Sequence, residues 1–118
     1  MRMTVVVIGE DVNGQMERYK GNRYANNNYS LKWDSYDVDS VLSYKDWDKT
    51  IFLATLINGE WNEIEEFEHF DDDELYEYYE DHEEELHKKW EEEWKIKFPK
   101  LLEGVQDDAK VTLVQIHR

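Results

Sequence analysis

The chain has 118 residues, 40% of them hydrophobic, with five Trp, eight Tyr and four Phe, so it can bury one modest core despite a net charge of −15. It has no cysteine, which excludes disulfides, thiol nucleophiles and Cys-ligated metals. Its acidity disfavours nucleic acid and anionic lipid as partners and favours basic proteins and cations.

Along the chain, Thr4 to Ile8 is a β-branched apolar run that reads as a buried strand. The run is too short for a signal-peptide core or a membrane span, which points to a soluble, cytoplasmic protein. Asn13-Gly14 marks a turn, and Gln15 to Lys20 is expected to return as a second strand. Gly21 to Tyr29 reads as a polar loop. Asp37 or Asp39 is expected to cap a short helix through Val41, Leu42 and Tyr44. Thr50 to Ile57 reads as a strand running into Asn58-Gly59, a strong hairpin turn. Glu60 to Phe70 should return, with a bulge or a switch out of extended structure, because Trp61, Ile64, Phe67 and Phe70 recur at threes. Lys110 to His117 is a further strand.

Between these lies a long helix. Asp71 and Glu74 make a capping-box-like start, and acids suit the first turn. Leu75, Tyr79, His82, Leu86 and Trp90 form one helical stripe, continued by Trp94 and Phe98. Glu84–Lys88, Glu85–Lys89, Glu91–Lys95 and Glu93–Lys97 are acid-before-base pairs at i,i+4. Pro99 is expected to stop the helix near Phe98. From Asp72 to Lys97 it would run roughly 39 Å. The whole reads as a single domain, 1–118, of α+β class: a small antiparallel sheet packed against one long acidic helix in the C-terminal half.

The charge is not spread evenly. Residues 60–93 hold 18 of the 29 acids, with Lys88 and Lys89 as the only bases there, while the remainder is close to neutral. From Glu60 to Asp81 there are twelve acids and no Lys or Arg. A solvated helix face with i,i+4 pairing accounts for Glu84 to Lys97 but not for that stretch. Its self-repulsion costs stability, so a function is expected to offset it.

Catalytic and metal motifs fare poorly. His82 and His87 are five apart, about 140° around a helix, whereas a zinc-protease helix needs a spacing of four. An EF-hand loop starting at Asp71 would have Tyr76 where Gly is needed and His82 where Glu is needed. No Gly-rich phosphate loop or nucleophile elbow is present, and no carboxylate pair is singled out for acid–base work. We therefore expect no enzyme activity, no cofactor and no metal.

The acids have a physical counterpart. Twelve acids from Asp72 to Glu93 lie along about 32 Å of helix, one per roughly 2.7 Å. DNA carries one charge per about 1.7 Å as a duplex and about 3.4 Å per strand. Carboxylates also accept bidentate arginine, as phosphates do. Tyr76 and Tyr78 flank the apolar stripe among these acids, and Tyr is enriched at interface hot spots.

The chain resembles the small acidic bacterial and phage DNA-mimic proteins in its length, its IGED-type first strand and its FEHFDDDELYEYYEDHEEE segment. Within that group it is most similar to the neisserial mimics that bind the nucleoid protein HU. The resemblance implies a monomer that occupies the DNA-binding surface of a basic partner, HU being the candidate, and associates with the nucleoid through it. The alternative is an immunity or inhibitor protein that neutralises a nuclease toxin or a restriction or CRISPR nuclease. The expected partner-binding residues are Glu66, Glu68, Asp71, Asp72, Asp73, Glu74, Glu77, Tyr78, Glu80, Asp81, Glu84 and Glu85.

Overall fold

The structure, a computed structural model, describes residues 2–21, 32–64 and 73–117; for 73–76 and 79 it describes the backbone alone. The expected α+β class holds: the described residues form five strands and one long helix, the helix in the C-terminal half. In chain order the elements are β1 (Arg2–Ile8), α1 (Val12–Glu17), β2 (Ser35–Ser43), a 3-10 turn (Tyr44–Asp46), β3 (Ala54–Ile57), β4 (Glu60–Glu63), α2 (Asp73–Leu101) and β5 (Lys110–His117). They fall into two compact units: Met1–Glu63 with Gly104–Arg118, and Ile64–Glu103.

The first unit is a sheet of order β2-β5-β1-β3-β4. β1 pairs antiparallel with β5, from Arg2 opposite His117 to Ile8 opposite Val111. It pairs parallel with β3, from Val5 beside Ala54 to Ile8 beside Ile57. The sheet is therefore mixed, not purely antiparallel as expected. The chain between β1 and β3 contains α1 and β2, long enough to bring it back to the starting end. Val5, Val6, Val7 and Ile8 are all buried, on both faces of the sheet. That is why β1 is a continuous apolar run without alternation. One face carries a core of Val5, Val7, Ala54, Leu56, Val114 and Ile116, joined by Val12 and Met16 of α1 and by Trp33. Trp33 packs its ring 5.3 Å from Trp61 and 5.8 Å from Tyr19. The Tyr19 hydroxyl donates to the Gly59 carbonyl at 2.8 Å, tying this aromatic group to the β3–β4 turn.

Three local expectations in this unit are corrected. The segment after Asp11 is a helix where a returning strand was expected. The Asp11 carboxylate accepts the Gly14 N–H at 2.9 Å as an N-cap, and Val12 and Met16, four apart, are both buried. The segment with Asp37 and Asp39 is strand β2 and not a capped helix. It pairs with β5 from Ser35 opposite His117 to Ser43 opposite Lys110, and its register shifts between Val38 and Ser40. Asp39 is thus the extra residue of a β-bulge. The expected strand Thr50–Ile57 begins only at Ala54, and Ile51 and Leu53 are exposed. The Asn58-Gly59 hairpin is as expected. Asn58 (φ 50°) and Gly59 (φ 87°) are both left-handed, as a type I′ turn requires, and Ile57 sits opposite Glu60. β4 ends at Glu63; the rest of the expected return, with Phe67 and Phe70, lies outside the described residues. So does most of the polar loop from Gly21 to Tyr29.

The second unit contains α2, 29 residues long. Trp90, Trp94, Phe98 and Leu102, each four residues from the last, are buried, and Leu86 and His87 are half-buried. Trp94 meets Phe98 edge-on at 5.8 Å. The expected stripe is therefore present from Leu86 onward, while the side chains of Leu75 and Tyr79 lie outside the described residues. Pro99 does not stop the helix, which continues to Leu101. Proline fits helical φ but lacks the N–H that would reach the Lys95 carbonyl and crowds that carbonyl with its ring, and the helix runs only two residues past it. The chain then tightens, with Leu102 N–H donating to Pro99 O and Glu103 N–H to Lys100 O, each at 3.2 Å, before Gly104 turns left-handed at φ 83°. The expected capping residue Asp71 is outside the described residues.

Two substitutions test this account by urea unfolding. Trp33→Ala should cost about 3–5 kcal/mol by opening a cavity among Tyr19, Trp61 and the sheet. Gly59→Ala should cost about 1 kcal/mol, because a side chain is strained at φ 87° even though a Cβ has space there. An unchanged midpoint in either variant would contradict the packing or turn geometry described.

Candidate partner-binding face

Helix α2 positions the part of the expected face that the structure describes. Glu77, Glu80 and Asp81 recur at i, i+3 and i+4, so they share one helix side, and all three are exposed. Glu84 and Glu85 follow, also exposed. Asp73 and Glu74 lie in the first turn, with backbone alone described. Glu66, Glu68, Asp71 and Asp72 lie outside the described residues.

Between these acids the helix bends. His82 has φ −125° and ψ 22°, outside helical geometry. Its Nδ1 lies 2.9 Å from the Tyr78 carbonyl oxygen, the acceptor that the His82 backbone N–H would use in a regular helix. Contact with a carbonyl requires Nδ1 to carry the proton. The His82 ring also stacks on Tyr78, with centroids 4.0 Å apart and planes 13° apart. Tyr78 is nonetheless half exposed, so an aromatic surface sits among the carboxylates. The stack holds that ring in one place, which lowers the entropy lost when a partner covers it.

Beyond Glu85 the surface changes. Lys88 and Lys89 are exposed and begin to interleave with the acids. The ion pair seen along this stretch joins Lys89 to Glu93 at 4.0 Å, base before acid, where the opposite order was expected. Lys97 lies over the Trp94 ring at 6.0 Å. The part of the described helix without Lys or Arg is thus its N-terminal half, 73–87.

His82 is stacked on Tyr78, and His87 lies edge-on to Trp90 at 5.8 Å. Among the described residues no three His, Asp or Glu side chains come together as metal ligands. No described helix is long and apolar enough to cross a membrane.

A second feature was not anticipated. A groove of about 240 Å³ in the sheet unit is lined by Glu10, Asp11 and Asn13 from the start of α1, Val38 and Val41 from β2, and Lys110 from β5, among others. Sequence reasoning missed it because it took β2 for a helix. The signal was present in Tyr36 and Val38, an alternating pair that the bulge at Asp39 throws out of phase with Val41.

No family model matches the chain, and no curated protein or solved structure does.

The geometry of α2 predicts a salt effect. Like charges this close repel, and added salt screens them within about 10 Å at 0.1 M. The melting temperature should therefore rise as salt increases from low to physiological strength. Replacing Glu77, Glu80 and Asp81 together with Gln should stabilise the protein at low salt and flatten that dependence. A melting temperature that falls with salt would show that attraction dominates.

Proposed function

We propose that the protein is a non-enzymatic DNA mimic: it binds the DNA-binding surface of a basic protein and competes with DNA for it, the nucleoid protein HU being the candidate. One observation carries this reading. From Glu77 to Glu85 the exposed face of α2 carries acids and no Lys or Arg, and the first lysines come at Lys88 and Lys89. Six acids fall within that stretch, along roughly 12 Å of helix, or one per about 2 Å. The value lies between the charge spacings of duplex and single-stranded DNA, about 1.7 and 3.4 Å. A groove built of Lys and Arg to hold phosphates meets a similar line of negative charge here, and its Arg forks fit carboxylates as they fit phosphates. Tyr78 adds a fixed aromatic contact of the kind that anchors interfaces. Opposite potentials also speed encounter, so association should be fast and sensitive to salt.

The test is capture of HU from solution by the intact protein at low and high salt, beside a variant carrying Glu77→Lys, Glu80→Lys and Asp81→Lys. The wild type should retain HU at low salt and release it at high salt, and the variant should lose it while keeping a folded circular-dichroism spectrum. Retention of HU by the variant would place the contact elsewhere. Failure of the wild type to bind HU or any other basic protein would overturn the mimic reading, and capture of one nuclease alone would favour an immunity role. Tyr78→Ala should weaken binding by about 2 kcal/mol if this ring is a hot spot.

A further inference from the structure

β2 is an edge strand of nine residues, and among the described residues it has a neighbour only on its β5 side. Such an edge offers a row of free N–H and C=O groups to another extended chain. Its side chains are unusual for a protected edge. Val38 and Val41 are 52% and 58% exposed and lie on the same sheet face as α1, where they wall the groove that ends at Glu10 and Asp11. Asp34, Asp37 and Asp39 are exposed along the strand and at its start. Lys110 lines the groove, Lys45 stands just past the strand, and His117 Nε2 lies 3.3 Å from the Asp37 carboxylate. Lys49 is committed elsewhere, donating to the Tyr44 and Trp47 carbonyls.

We propose that β2 is a strand-addition site for an extended, Lys- or Arg-bearing segment of a protein partner. A strand added at this edge would place every second side chain on the α1 face. A Lys or Arg there would lay its aliphatic stem along Val38 and Val41 and carry its charge toward Glu10 and Asp11. Backbone pairing supplies the affinity and the groove selects the side chain, as in other β-augmentation complexes. A second copy of this chain is a poor occupant. It would bring Asp34, Asp37 and Asp39 against their own counterparts, on a body of charge −15. The bulge at Asp39 also twists the edge away from a flat self-pairing. The carboxylates that disfavour a second copy are the ones that attract a basic strand. This deepens the reading of a basic partner and rests on it.

The probe is an eight-residue peptide alternating Lys and Val, compared with one alternating Lys and Gly, which carries equal charge but disfavours strands. The readout is amide hydrogen exchange across the intact protein at low salt. The Lys-Val peptide should slow exchange in residues 35–43 by about tenfold, and the Lys-Gly peptide should not. Val41→Lys, at an exposed position, should abolish that slowing without unfolding the protein, and Val38→Lys provides an independent repeat. If the Lys-Val peptide binds but exchange in β2 is unchanged, strand addition is wrong and the acidic helix alone attracts bases. If neither peptide binds, the basic-partner reading fails as well. Slowing in β2 that grows with protein concentration without peptide would make the occupant a second copy and overturn the proposal.

Discussion

Like charges held close together raise the free energy of a compact state, and in this chain that cost falls on one segment. Residues 60–93 carry 18 acids against two lysines, while the remainder is almost neutral. A chain selected only to fold would disperse such charge or pair it. Within the described part of that segment, helix α2 separates residues by type. Trp90, Trp94, Phe98 and Leu102 recur every fourth position and are buried, while Glu84, Glu85, Glu91 and Glu92 are exposed between and before them. Burying a large apolar side chain contributes about 1.5–3 kcal/mol, several times the cost of one exposed like-charge contact. The aromatic stripe lies towards the C-terminal end of the helix, where bases also appear.

The sheet unit has a different electrostatic character. Its centre is β1, paired on both sides and buried on both faces, and its charge is mixed. Exposed acids stand around β2 and the start of α1, beside exposed valines and a groove. The protein thus exposes two kinds of surface that would suit the proposed basic partner: a charged helix face, through its field, and a strand edge, through its backbone.

What could be read from sequence depended on whether the signal was local. β1 and β5 announce themselves as β-branched runs, Asn58-Gly59 as a turn that needs two left-handed residues, and α2 as a repeat of four between tryptophans. α1 is six residues with only Val12 and Met16 apolar, too short for a period to emerge, and its deciding feature is a single capping carboxylate on Asp11. β2 misled for a physical reason. The bulge at Asp39 turns a strand spacing of two into a spacing of three between Val38 and Val41, which mimics a helix. The parallel pairing of β1 with β3 is non-local and leaves no mark in either segment. Of the expected face, Glu77, Tyr78, Glu80, Asp81, Glu84 and Glu85 are exposed on α2; i,i+3 and i,i+4 spacing makes neighbours of Glu77, Glu80 and Asp81, while the bend at His82 was not legible in the sequence. The groove depends on the fold of β2 and so could not be seen until that strand was placed.

The central claim is competition: the acidic face of α2 occupies the surface on which a basic protein binds DNA. It is tested most directly by titrating this protein into a preformed complex of HU with labelled duplex DNA, at several salt concentrations, and following release of the DNA. The account predicts stoichiometric release at low salt, independent of DNA sequence, with an apparent affinity that falls steeply as salt rises. DNA that stays bound to HU while this protein joins the complex would contradict it, because the two would then occupy different surfaces.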